Sequence, residues 1–468
     1  MKRSVLLALL AAMAVSACNA PAATPTAPPA TGERLAIVDV TVVDVETGTA
    51  VPDQTVIVAG ETIEAIGAKG DVRIAGGERT IDGRGLYLMP GLVDAHVHFF
   101  DPSVFGRLMV ANGVLLVRDM GLPTEAVLPL RDELNRGDVL GPEMVATGAL
   151  LDGVPPLIPE IALGVGTPEE GRQAVRQQAA AGVDMIKVYS RLEKDTFLAI
   201  VDEARSLGLK AVGHVPESIY IEEAAAAGLS SSEHLFGFEK VIGKLLGEPI
   251  NLRTYAGMGT DMGFLLRLDE VQAEELQAAY GQLRDYGLTV CPTVVVFKTG
   301  TRIDAILAGD YPMSEYISPT VWDIWTSQWS DQSPLPEAMW QSWAQMVQQL
   351  NAAGMPLMVG TDTGFAGIIP GFAVHEEMAI WQDAGIPPTE VLRSATLVPA
   401  QFMGLGDRLG SIAEGKAASM VLLRANPLQD VRNAQQIEGV FLRGEYFSRD
   451  DLDQLLAEAR ELVRQATP

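Results

Sequence analysis

The sequence predicts an α/β protein, a (β/α)8 TIM barrel with a small β-sandwich domain built from its N- and C-terminal segments. Three observations predict it. Over residues 89–404 short apolar runs alternate with amphipathic or Ala-rich stretches, and eight such runs can be read, as a barrel requires. β-rich segments punctuated by turn residues occur at both ends, over 35–88 and 405–447. Polar residues cluster at the C-terminal ends of the eight runs, which is where a barrel carries its chemistry.

The elements follow in chain order. Lys2 and Arg3 precede an apolar run, Val5 to Val15, that is shorter than the roughly 20 residues needed to span a bilayer as a helix. Val15-Ser16-Ala17 then places small residues before Cys18. This stretch is similar to a bacterial lipoprotein signal, which implies removal of residues 1–17 and acylation of Cys18. Residues 18–34, with Pro21, Pro25, Pro28 and Pro29 among Ala and Thr, cannot bury a core and read as a solvated tether. Asn19 stands where the resemblance would put an inner-membrane retention aspartate, so it implies an outer-membrane anchor facing the periplasm. With Cys18 lipidated, Cys291 is left as a free thiol.

Past the tether, Leu35 to Asp44, Thr55 to Ala59, Thr62 to Ile66 and Tyr87-Leu88 read as strands separated by Gly48, Pro52, Gly60 and Gly67. Ala418 to Leu423 and Val440 to Arg443 are their C-terminal counterparts, and 448–468 reads as a terminal helix. The eight barrel strands are Leu92 to His98, Val114 to Asp119, Met144 to Gly148, Met185 to Tyr189, Lys210 to His214, Ser230 to His234, Thr289 to Pro292 and Leu357 to Asp362. A helical insertion falls at about 240–350. There Trp322, Trp325 and Trp329 share one helical face and Trp340 and Trp343 another, a spacing that fits either an apolar core or a lid sorting bulky substrates.

Composition excludes several classes of function. The 468 residues carry 34 Lys and Arg against 60 Asp and Glu, a formal net charge of −26. Such a surface repels phosphate backbones and anionic head groups, so no nucleic-acid partner is expected and membrane contact only through the lipid anchor. A 48% hydrophobic and 20% charged composition argues against disorder. Self-association into a homo-oligomer is left open.

Of the five histidines, four occupy strand ends. His96 and His98 are two residues apart, so on a strand both imidazoles face the same side, here the barrel mouth. Two imidazoles on one face suit a borderline-soft cation such as zinc.

The segment Pro90-Gly91-Leu92-Val93-Asp94-Ala95-His96-Val97-His98 resembles the amidohydrolase superfamily. So do Val117-Arg118-Asp119, Met185-Ile186-Lys187, Val212-Gly213-His214, Ser232-Glu233-His234, Gly360-Thr361-Asp362 and Leu409-Gly410-Ser411-Ile412, in that order. The overall pattern looks most like its imidazolonepropionase-like and prolidase-like branch. The resemblance implies two divalent metal ions, with zinc expected. His96, His98 and Asp362 would hold the more buried ion, His214 and His234 the more exposed one, and Lys187 would bridge both as a carbamate. It further implies a metal-activated hydroxide, with Asp362 as general acid and base, cleaving an amide bond in a dipeptide, N-acyl amino acid or related small molecule. Esters and lactones suit the same chemistry.

Other readings compete with this one. His214-Val215-Pro216-Glu217 fits the HxxE spacing of mononuclear deaminases, a reading that leaves Lys187 unexplained. A non-catalytic binding protein is the remote alternative, since fold alone does not fix function. Val215-Pro216 stands where dipeptidase relatives place a tyrosine, and Ser419 where the family usually has aspartate. Tyr189, Arg191, Tyr220 and His375 are the candidate substrate contacts, with Arg191 able to grip a carboxylate in two-pronged fashion. His375 opens a helix and could equally pack there.

Overall fold

The computed structural model of the chain describes residues 34–250, 252, 260–329 and 333–466. The expected signal segment, Cys18 and nearly all of the tether lie outside the described residues.

The fold is α/β with parallel sheets. Leu92–Val97 pairs in parallel with Val114–Asp119, which pairs with Glu143–Ala146. A second parallel series runs from Leu150–Asp152 through Met185–Val188, Lys210–Gly213 and Leu229–Glu233 to Thr289–Cys291. Nearly every residue of these strands is buried, as expected of parallel strands covered on both faces. Their polar residues, such as Ser231 and Glu233 of Leu229–Glu233, are buried with the rest. Hydrogen bonds join the two series where Asp184 N donates to Ala146 O (2.9 Å).

The eighth expected strand behaves differently. Residues 357–363 lie between Thr289–Cys291 and Leu92–Val97 and touch both through isolated parallel bridges, Val290 to Leu357 and Val97 to Thr363. Met358 N donates to Val290 O, while Ala95 N donates to Val359 O and Asp362 N to His96 O. A continuous ladder fails because other groups take its partners: Val359 N donates to Ser394 O, and Thr361 N donates to the Asp94 carboxylate.

Both ends of the chain meet in one eight-stranded sheet. Its order is Glu445–Ser448, Ile437–Leu442, Met420–Leu423, Tyr87–Pro90, Arg34–Asp44, Thr49–Ala59 and Thr62–Ala68, with Arg79–Asp82 pairing Arg34–Asp44. Alternation, shifted by one residue at an irregularity between Ile37 and Val40, puts Leu35, Ile37, Val40 and Val42 into a separate apolar core with Val56, Val58, Leu88, Leu422 and Phe441. The terminal helix Arg449–Gln465 packs Leu452, Leu455, Ala459 and Val463 into the main core and is tied to helix Pro102–Ala111 by Arg107–Glu458 (3.0 Å).

Two of the described tryptophans, Trp343 and Trp325, belong to different cores. Trp343 is fully buried and stacks on Phe297 at 3.8 Å in the main core. Trp325 belongs to a satellite cluster with Ile303, Ile306, Tyr311 and Ile317, closed underneath by Ala366 and Ile369 of the loop after Asp362.

Candidate metal centre and active site

The ladders that carry His98, His214 and His234 each stop one residue before the histidine. That releases the backbone to turn the side chain toward the strand ends: His234 takes φ 59° and Asp362 φ 61°. His96 remains within its strand.

The structure brings the six expected ligand residues together. Ring centroids lie 5.6 Å apart for His96–His98, 4.6 Å for His96–His234 and 5.0 Å for His214–His234. Asp362 Oδ1 is 3.4 Å from His96 Nε2 and 3.2 Å from His98 Nε2. Ligand atoms of His96, His234 and Asp362 all fall within 4.8 Å of one another. Lys187 is buried, and its path depends on Gly213: a Cβ there would sit 2.9 Å from Lys187 Cδ and 2.2 Å from Val188 O.

Each of the four imidazoles has Nδ1 occupied from outside. His96 pairs with Glu233 Oε2 (2.9 Å), His98 with Gly121 O (2.8 Å), His214 with Ser190 Oγ (2.9 Å) and His234 with Thr293 Oγ1 (2.6 Å). The Glu233 carboxylate and the Gly121 carbonyl can only accept, so Nδ1 of His96 and His98 donates and Nε2 is left as a bare lone pair, the arrangement a metal-ligating histidine requires. The hydroxyls of Ser190 and Thr293 allow the same arrangement at His214 and His234. His96 Nε2 is buried and has no hydrogen-bond partner, so its lone pair lacks any acceptor-satisfying group. Three or more nitrogen donors, a carboxylate and an amine at one point fit a divalent cation such as zinc.

At His96, His214 and His234 electrostatics agree with that reading, whereas at His98 burial is outweighed by the Asp362 carboxylate, which raises the pKa. Burial, then the neighbouring Lys187, drives the His96 and His214 pKa values well below normal, so both rings are neutral. Burial opposes ionisation of Asp362, but His234 and His98 outweigh it and hold the carboxylate below its usual range. Burial also pulls the Lys187 ammonium down to about 8.

Three buried charges behind the ligands carried no assigned role in the sequence. Arg118 Nη2 grips both oxygens of Glu233 (3.0 Å each), while its Nε donates to Ala95 O and its Nη1 to Ser231 Oγ. Asp94 accepts from Thr361 N (3.0 Å) and Thr361 Oγ1 (2.6 Å), and burial raises its pKa to about 7. The available signal was a pair of charges, Arg118 and Asp119, ending the apolar run of VLLVRD, with a further acid at Glu233 in another strand.

The substrate candidates scatter. Tyr189 stands beside the centre, its ring 4.1 Å from that of His214. Arg191 is exposed and donates to Pro155 O (3.2 Å), and the Tyr220 ring lies under Lys244 Nζ at 5.6 Å. His375 is buried in helix Phe372–Asp383, where Nε2 donates to Asn112 O (3.0 Å) at the end of helix Pro102–Ala111. Its bond is one of helix packing.

Comparison with known proteins places these features in context. A family model described as "Amidohydrolase family" matches residues 87–446. A crystal structure from Bifidobacterium longum, provisionally named a prolidase, is 27% identical with a TM-score of 0.65 and covers 91% of this chain and 99% of that one. Bottromycin amidohydrolase superposes with a TM-score of 0.75 at 24% identity, covering 94% of each chain, a likeness of fold. Among curated proteins, a Bacillus licheniformis dihydroorotase is 38% identical over 66 residues, and a Methanosarcina barkeri adenine deaminase 29% identical over 188. Those matches span 14% and 36% of this chain but only 15% and 32% of the relatives' own lengths.

Proposed function

The chain belongs to the amidohydrolase family, and from that premise we propose that it is a metal-dependent hydrolase cleaving a carbon–nitrogen bond in a small peptide or N-acyl amino acid. The observation that carries the reading is the convergence of four imidazoles, each held by Nδ1, on Asp362 and the buried Lys187. His96, His98 and Asp362 would hold one ion, His214 and His234 a second, and Lys187 both after carboxylation of its amine. When bound, such ions polarise a carbonyl and acidify water.

The remaining roles belong to the chain itself. Asp362, kept ionised by its neighbours, takes a proton from the attacking water and returns it to the leaving nitrogen. Outer partners hold the imidazoles still, so little reorganisation is needed as charge develops. Tyr189, against His214, borders the space a substrate would enter. We read the seams around residues 357–363 as closure of a (β/α)8 barrel and the sheet of both chain ends as its accompanying β domain.

Metal analysis of the purified protein and a screen of dipeptides, N-acyl amino acids and esters test the reading. Two ions per chain, one or both lost in Lys187→Ala along with amide hydrolysis, are expected. One ion with ammonia release would instead favour the deaminase alternative, which the half-buried Glu217, with Oε1 unpartnered, keeps in view. For location we propose a lipid anchor at Cys18; Cys18→Ser should release the protein from membranes.

A further inference from the structure

We propose that Thr293 is a positioning residue for His234, fixing its tautomer and ring orientation so that Nε2 faces the centre. The first observation is a backbone one. Thr293 sits at φ 46°, ψ 49°, a left-handed conformation that a β-branched residue adopts only under constraint. Glycine or asparagine would fill that position without strain, so something other than local propensity keeps a threonine there.

The second observation concerns where its hydroxyl goes. Thr293 is the N-cap of helix Val294–Gly300, and a threonine at an N-cap ordinarily accepts from an amide of the first turn. This one makes no such bond. Its Oγ1 instead lies 2.6 Å from His234 Nδ1, in a fully buried setting.

The amides it leaves are served from elsewhere. Val294 N and Val295 N donate to the two oxygens of Glu377 (3.0 and 2.6 Å), a buried carboxylate that also accepts from Trp381 Nε1 (2.8 Å). A residue from a helix some eighty positions later therefore does the local capping, and the threonine hydroxyl is free for the imidazole. A strained residue, a missing cap bond and a remote replacement all converge on one contact, which is what a site-driven departure from local rules looks like.

The test has two arms, and only the second rests on the metal-centre reading. In metal-free protein at one fixed alkaline pH, nitrogen-15 NMR of labelled histidine reads the His234 tautomer. Wild type and Thr293→Ser should show Nδ1 protonated; Thr293→Val, which keeps shape and strain but loses the hydroxyl, should show a tautomer mixture. An unchanged signal in Thr293→Val overturns the proposal.

In the second arm, zinc alone is titrated into the same proteins calorimetrically. Thr293→Val and Thr293→Gly should each weaken one ion by roughly 10- to 100-fold and leave the other unchanged, with Thr293→Ser near wild type. Thr293→Gly relieves the strain, so agreement between Gly and Val assigns the effect to the hydroxyl; wild-type affinity in either overturns it. Wild type that takes up no zinc would sink the metal-centre reading, while the first arm still decides the role of Thr293.

Discussion

At the scale of single residues, the buried ion pair behind His96 should be the most sensitive point of the site. Arg118 and Glu233 are both fully buried, and Glu233 also accepts a hydrogen bond from His96 Nδ1. Glu233→Leu leaves the guanidinium uncompensated in the interior, a loss of about 3–5 kcal/mol by comparison with other broken buried pairs. Urea denaturation should show that drop, and Arg118→Met combined with Glu233→Leu should recover part of it. A single variant as stable as wild type would show that the pair carries no such charge coupling. A second residue sets an acid limit. Burial lowers His375 to about 4 from an ordinary 6.5, so it folds neutral. The unfolded chain binds more protons between those two values, so stability from this group is fully present above pH 6.5 and lost as pH falls toward 4. Linkage over that interval amounts to about 3 kcal/mol. His375→Gln, able to keep the donation to Asn112, should flatten the fall of Tm across this window. An unaltered slope would contradict the assignment.

At the scale of elements, the eighth strand shows what sequence can and cannot specify. Its position was legible, because Leu357 to Asp362 is an apolar run ending in an acid. That its ladder would be broken was not, since the competing partners come from Asp94 and Ser394, distant in sequence. The same contrast runs through the site. His96 and His98 were readable as candidate ligands from HxH spacing and strand-end position, both local patterns, whereas the full candidate set with His214, His234, Lys187 and Asp362 came from the family resemblance. Glu233, Thr293 and Glu377 were not assigned roles, because each acts through a partner on another element that no local period reveals. Of the two readings of His375, substrate contact after the eighth strand or packing within its helix, the structure shows packing, through a bond to Asn112 on a neighbouring element that the sequence could not identify. The Asp94–Thr361 link offers an element-level check. Thr361→Val removes the hydroxyl that donates to Asp94 and accepts from Thr363 N, leaving a buried acceptor short of a bond. A loss of about 1–3 kcal/mol is expected. Faster amide exchange at Thr361 and Thr363 should accompany it; exchange rates equal to wild type would mean that the Thr361 hydroxyl does not hold the segment.

At the scale of the whole molecule, the two ends of the chain are structurally interdependent. Met420–Leu423 pairs antiparallel with Tyr87–Pro90, the strand that leads directly into Leu92–Val97, which carries His96 and ends one residue before His98, both proposed ligands. Loss of the C-terminal strands would therefore strip hydrogen bonds and apolar cover from the segment that delivers His96 and His98. The terminal helix lies farther out, so its removal is the gentler cut. Truncation after Ser448 takes away Leu452, Leu455, Ala459 and Val463, which are buried in the main core, and the Arg107–Glu458 pair. At roughly 1.5–3 kcal/mol for each large buried aliphatic side chain, that loss would consume much of the 5–15 kcal/mol by which a domain is usually stable. The truncated chain should melt well below the full one, yet still display its Tyr87–Pro90 pairing and bind metal at low temperature. Cutting instead after residue 404 deletes Met420–Leu423 and should abolish metal uptake outright. Equal metal content in both truncations would show that the centre does not depend on the sheet that joins the ends.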